Sequence, residues 1–350
     1  MESQLLAAGG FGCVFRPRIA CDGTPTTDHD TVTKVQAADS AAANEMTIGS
    51  IIKGVRGYRR FFGVALSSCR IRARSLTSGI LDQCDVIRSA QDLVLMSFDY
   101  IPNVSMHEVA KAALHRKEDV YVLLHSYTLL LRSLVRLSDV DVVHLDLKPE
   151  NVLYDAVYHI PVIIDFGIAV DMKTLSPSRW EKVFYTYSPE YYLWPPEVHA
   201  IAYLLHVNPQ PTARELTLLA ENITAESKAL AGFSVEFRAR WSAQLAHTLR
   251  AYVGMPRHEA ITQLITTWKT WDNYAISMMY LRFLHQWSKT AHASNSLYAR
   301  LLETFLWGVH ADPVQRYTPQ ESLGSYNRIF QFGSNVACLI GDLERFVAER

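Results

Sequence analysis

The sequence predicts an α+β chain of two lobes, a small strand-rich one followed by a larger, mainly helical one. Two patterns predict it. Strand candidates and turn residues fill the first hundred positions. After Pro102 the apolar residues recur at the three- and four-residue spacing of helices packed by one face. The expected division is 1–101 and 102–350.

In the first lobe, a Gly-rich turn at Gly9-Gly10-Phe11-Gly12 leads into Cys13-Val14-Phe15. A polar loop from Cys21 to Asp30, with Gly23 and Pro25, precedes a strand over Thr31–Val35. The Ala-rich run Ala37–Ile52 favours helix. Phe61–Ala65 and Leu93–Tyr100 are further strand candidates, the second almost continuously apolar, as in a strand covered on both faces. In the second lobe, helices are expected over Met106–His115 and Asp119–Leu137. Short strands follow at Val152–Tyr154 and Val162–Ile164. From Val198 on the pattern is helical, with breaks at Asn208-Pro209-Gln210-Pro211, Gly254–Pro256 and around Asp312-Pro313. There is no internal repeat or low-complexity tract.

Hydrophobic residues at 49% and charged residues at 20% of 350 describe ordinary globular composition. A net charge of -1 leaves no footprint for nucleic acid or an anionic membrane. Lys53–Arg60 and Arg70–Arg74 are local basic concentrations and are read as solvated faces. Met1–Phe15 has no cationic stretch followed by a long apolar one, so no signal peptide is expected. The apolar run Tyr121–Leu137 is interrupted by His125, Ser126, Arg132 and Ser133, and reads as a buried helix, not a membrane span. The five cysteines (Cys13, Cys21, Cys69, Cys84, Cys338) are odd in number and widely spaced, which favours reduced thiols in a cytosol-like compartment.

The chemistry is concentrated in His144-Leu145-Asp146-Leu147-Lys148-Pro149-Glu150-Asn151 and Asp165-Phe166-Gly167. These supply a carboxylate, an amine, an amide and a second carboxylate. Phosphoryl transfer from a metal-bound nucleotide needs that inventory: an acceptor for the hydroxyl proton, oxygen ligands for Mg²⁺ and a nearby cation. Asp146 would take the proton and Lys148 would neutralise charge. Asn151 and Asp165 would ligate the metal, while His144 packs and hydrogen-bonds. The competing reading makes Asp146 and Asn151 turn formers and Asp165–Gly167 a strand-end turn. In the Gly-rich turn, Gly9, Gly10, Phe11, Gly12 and Val14 could let backbone N–H groups approach phosphate, although a plain hairpin looks the same. Lys34 in an apolar strand needs partners, which a phosphate and Glu45 would supply. Its alternative is an edge-strand lysine facing water.

These residues resemble the eukaryotic-type protein kinases along most of the chain. His144–Asn151 is similar to the catalytic loop, Asp165-Phe166-Gly167 to the metal motif and Gly9–Val14 to the phosphate loop. Lys34 and Glu45 are similar to the strand-lysine and helix-glutamate pair. Leu93–Ile101 looks like the strand and hinge, with Phe98 as gatekeeper and Asp99, Tyr100 and Ile101 facing adenine. Ser188-Pro189-Glu190-Tyr191 and Trp194-Pro195-Pro196-Glu197 resemble the end of the activation segment. Asp272 looks like the start of the central large-lobe helix, and Arg316 like the arginine that pairs with the segment's glutamate, here Glu197.

The resemblance implies a two-lobed kinase fold with a nucleotide in the cleft, ATP and Mg²⁺ (or Mn²⁺) as cofactors, and protein substrates. Neither nucleic acid nor membrane is expected as a partner. Lys148 is the serine/threonine pattern. The Gly-rich stretch, the Trp-Pro-Pro-Glu and the long insert look like kinases of large DNA viruses, which implies a cytoplasmic protein, in host cytoplasm or virion. Departures are Ala7 for the first loop glycine and Leu145 for an arginine that receives activation-loop phosphate. The latter implies activity without that phosphorylation. Between Glu197 and Asp272 roughly sixty residues are extra, giving a helical insert over about 198–271. A pseudokinase scaffold and a small-molecule kinase are the rival readings.

Overall fold

The structure, a computed structural model, describes residues 3–77, 79–113, 117–288 and 296–331. It divides into two units, one formed by the chain up to Val104 with Leu153–Ala169, the other by Ser105–Val152 with the chain from Val170 on. Leu153–Ala169, and with it Asp165, therefore groups with the strand-rich part and not with the helical lobe in which the sequence reading placed it.

The first unit is built on an antiparallel sheet in the order β1-β2-β3-β5-β4: β1 Gln4–Ala8, β2 Gly12–Arg16, β3 Thr31–Ala37, β4 Ser67–Arg72 and β5 Asp92–Asp99. Helix α1 (Ser40–Lys53) begins at Asp39, whose carboxylate accepts the N–H groups of Ala41 and Ala42 at 2.9 and 3.0 Å. That satisfies two donors that a helix start leaves without partners. Phe15, Ile19, Val35, Leu93 and Leu95 form one core with Ile80 and Ile87.

Two expectations fail here. Phe61–Ala65 is not a strand; it makes a single bridge, Phe62 to Ile163, after a 3₁₀ turn at Tyr58–Arg60. The cysteines are not all reduced thiols: Cys13 is bonded to Cys84 and Cys21 to Cys69. Residues 71 and 48 apart in sequence are brought together by the sheet and the 73–91 segment, so spacing could not show it. Four of the five thiols thus give no support for a reducing compartment. Cys338 lies outside the described residues.

At the chain crossings between units, β6 (Asn103–Ser105) leads to α2 (Met106–Ala112) and α3 (Lys117–Asp139). After β7 (Val142–Val143) come β8 (Val152–Asp155), β9 (Ile160–Ile163) and β10 (Val170–Asp171). The sheet order is β6-β8-β9, with β7 and β10 paired separately. The segment Asp119–Asp139 is long and apolar enough to cross a membrane. Its Val120, Leu123, Tyr127, Leu130, Leu134 and Leu137 are all buried, and α3 packs on α9 (Trp271–Ser288) and α11 (Pro319–Gln331). The Ser126 and Tyr280 hydroxyls join α3 to α9 at 2.6 Å.

Beyond α4 (Trp180–Val183) the chain runs through α5 Pro196–His206, α6 Ala213–Glu226, α7 Val235–Leu249 and α8 Arg257–Ile265, in keeping with the helical pattern read from Val198 on. A capping box of Thr212 and Glu215 starts α6. Leu216, Leu219 and Ile223 on α6 and Trp241, Leu245 and Leu249 on α7 are buried, and the two helices pack together. The Trp241 indole donates to the Val309 carbonyl at 3.1 Å, tying α7 to the chain after α10 (Ser296–Gly308).

Candidate active site

In the first unit, Lys34 lies on the central strand β3, flanked by β2 and β5, with its side chain only 12% exposed. The reading of Lys34 as an edge lysine facing water is therefore excluded. Its ammonium donates to Glu45 at 2.7 Å and to Asp165 at 2.9 Å. Burial pulls the Lys34 pKa down, but the charges of Glu45 and Asp165 outweigh it and the net shift is upward. Asp165 has φ +64, a left-handed conformation unusual for a non-glycine residue. The motif around it is held by Asn44 on α1, whose amide donates to the carbonyls of Gly167 and Ala169 at 3.0 and 2.8 Å. Phe166 is buried edge-on against Phe62, with ring centroids 6.0 Å apart.

The Gly-rich turn joins β1 to β2, and the Gly9 N–H donates to the Gly12 carbonyl at 2.8 Å. Val14 is in register with Lys34, so the turn and the lysine share neighbouring strands. Gly12 is a packing residue: a Cβ there would stand 2.4 Å from the Val35 carbonyl oxygen. At Gly10 a Cβ would meet nothing within 4 Å, so packing does not demand glycine there. Phe11 at the tip is exposed. Farther along, Asp99 ends β5 and lies 3.6 Å from Arg59, while the Tyr100 N–H donates to the Asp30 carbonyl at 2.8 Å. The Arg16 guanidinium sits 3.5 Å over the Tyr100 ring, and the Ile101 carbonyl accepts the Asn103 amide at 2.7 Å.

In the second unit, the loop 144–151 is organised around two carboxylates. Asp272 at the start of α9 accepts the backbone N–H of His144 at 2.7 Å and of Leu145 at 3.0 Å. Burial raises the Asp272 pKa, opposed by His144 and these two N–H groups. Leu145 at φ +65 makes the turn that aims both N–H groups at Asp272, while its carbonyl accepts the Trp194 indole at 2.7 Å. His144 is fully buried, and its Nδ1 accepts the Asp146 N–H at 3.2 Å. Asp146 Oδ2 accepts Lys148 Nζ and the Asn151 amide, each at 2.8 Å. Asn151 also closes the loop on the Asp146 carbonyl at 2.8 Å, so the turn-forming role and a chemical one coexist. With its NH₂ spent on Asp146, Asn151 keeps its side-chain oxygen for a cation. The donors suit Mg²⁺, which takes few protein oxygens and completes its shell with water and phosphate. Among the described residues no cluster of three His, Cys, Asp or Glu forms a protein cage for a metal.

Arg316 and Glu197 form the expected pair, with Arg316 Nη1 and Nη2 donating to Glu197 at 2.8 and 3.0 Å. One contact escaped the sequence reading. The Tyr191 hydroxyl donates to Asp146 Oδ1. The run Ser188–Tyr191 had marked the segment, but nothing in it says where a phenol points once folded.

No curated protein matches the chain. The family model of the protein kinase domain matches residues 64–200, a span holding Asp146, Lys148, Asn151, Asp165 and Glu197. Gly9–Val14, Lys34 and Glu45 precede that span, and Asp272 and Arg316 follow it. The match, carried by the span in which the loop 144–151 and Asp165-Phe166-Gly167 lie, supports a protein kinase family for this chain.

Proposed function

We propose that the chain transfers the γ-phosphoryl group of ATP to serine or threonine hydroxyls of proteins, without prior phosphorylation of its own activation segment. The observation that carries this reading is Lys34, bonded at once to Glu45 and Asp165. A lysine so buried is costly unless it is paired, and this pairing presets an ammonium for phosphate oxygens. Gly10, where packing demands no glycine, supports close approach of backbone to a phosphate.

ATP with Mg²⁺ would supply the phosphoryl group and neutralise its charge, and Asn151 and Asp165 are the oxygen donors that would hold the metal. Asp146 receives the proton of the incoming hydroxyl at a carboxylate oxygen. Lys148, bonded to the same carboxylate, offsets charge near the transferred group, and this lysine favours serine or threonine as acceptor. Leu145 is 5% exposed and offers no guanidinium, which supports independence from segment phosphorylation.

Incubation of the full chain with labelled ATP, Mg²⁺ and mixed protein acceptors tests the reading, followed by identification of the phosphorylated amino acid. Phosphoserine and phosphothreonine are expected, at a rate unchanged by phosphatase pretreatment. Label passing to sugars, choline or aminoglycosides but not to protein would overturn it.

A further inference from the structure

The two oxygens of Asp146 are used unequally. Oδ2 takes the Lys148 ammonium and the Asn151 amide, while Oδ1 takes the hydroxyl of Tyr191. A general base needs an oxygen within hydrogen-bond reach of the proton it removes. Oδ1, with neither cation nor amide on it, is the oxygen suited to that, and a hydroxyl of this chain already sits there. That occupant belongs to the same functional class as a kinase substrate.

The phenol is held from behind. Its ring packs edge-on to Trp194, centroids 5.1 Å apart, and the Trp194 indole is bonded to the Leu145 carbonyl. Burial, reinforced by the Asp146 charge, raises the Tyr191 pKa well above the usual phenol value, so the proton stays on Tyr191. Tyr191 also lines a pocket of about 300 Å³ together with Lys148, Glu150, Tyr192, Met279 and Phe283. The ring has space beside it to move into.

We propose that Tyr191 is an internal occupant of the acceptor position: it caps Asp146 in the resting chain, and a protein hydroxyl reaches Asp146 only after the phenol swings into the adjoining pocket. This rests on the reading of Asp146 as proton acceptor. Tyr191 thereby sets access to the site and sharpens selection, because only an acceptor that displaces the phenol is phosphorylated.

The test is steady-state phosphorylation of a protein acceptor by the full chain, its Tyr191→Phe and Tyr191→Met variants, and Asp146→Asn. Phe keeps the ring against Trp194, and Met keeps apolar volume if Phe disturbs folding. Removing the hydroxyl should lower KM for the protein acceptor by about tenfold to a hundredfold, the worth of one hydrogen bond to a charged group, with KM for ATP unchanged. If activity needs Asp146 but KM for protein is unchanged or higher in both variants, or kcat alone falls, the gate is refuted while the kinase reading stands. Phosphate transfer that survives Asp146→Asn, or none by any form, refutes the reading itself and the gate with it.

Discussion

Arg316→Met removes the cationic half of an ion pair that no water reaches. Arg316 is 0% and Glu197 3% exposed, and two hydrogen bonds of 2.8 and 3.0 Å join them. Arg316 also donates to the His310 carbonyl at 3.0 Å and lies 4.9 Å over the Tyr274 ring. Truncating one partner of such a pair costs about 3–5 kcal/mol, because it strands a buried charge. The cation–π contact adds about 2 kcal/mol when desolvated. A loss near 5 kcal/mol corresponds to a Tm lowered by on the order of 10 °C or more for a unit of this size. Glu197 sits in the first turn of α5, directly after the segment that carries Tyr191 and Trp194, so the same change loosens the support of Asp146. Urea unfolding of wild type, Arg316→Met, Glu197→Leu and the double variant measures the effect. The double variant should recover at least about 2 kcal/mol relative to the sum of the singles, since two apolar residues replace the pair without a stranded charge. A single variant losing less than about 1 kcal/mol, or strict additivity, would refute the account of the pair.

Two more predictions concern the fold. The Cys13–Cys84 and Cys21–Cys69 bonds span 71 and 48 residues, and loop-closure entropy gives each about 4 kcal/mol in the chain-entropy model, less than additive because the loops overlap. Titration of the denatured, unreduced chain should find at most one thiol, not five, and reduction should lower the melting temperature; five titratable thiols would refute the bonds. His199 is fully buried, and burial pushes its pKa down to about 4 from 6.5. The unfolded chain therefore binds this proton first, so stability is complete above pH 6.5 and falls by up to about 3 kcal/mol as pH drops toward 4. Denaturant titrations across that range should show a shallower slope for His199→Gln, and an unchanged slope would count against it.

What was legible in the sequence is what local pattern controls. Leu93–Tyr100 is apolar on both faces, and β5 lies at Asp92–Asp99 between two strands. The three- and four-residue spacing in the insert marked α6 and α7, because each buries one stripe. Lys34, Glu45 and the loop 144–151 stood out because charged groups in apolar settings need partners. The missed elements are those decided by tertiary neighbours. β4, Ser67–Arg72, buries one residue of six and carries serines and arginines at a sheet edge, so it shows no alternation. Phe61–Ala65 has strand composition, yet it makes one bridge and not a ladder. The disulfides and the Tyr191 contact join residues 71, 48 and 45 apart, distances at which no local signal exists.

In the proposed reaction Asp146 takes the proton of a protein hydroxyl during phosphate transfer from ATP. Transfer of labelled phosphate to protein by the wild-type chain and by Asp146→Asn, matched for folding by thermal melt, tests it most directly. Transfer by the wild type is expected, with a rate lower by on the order of a hundredfold or more in the variant. Equal incorporation by the two would contradict it.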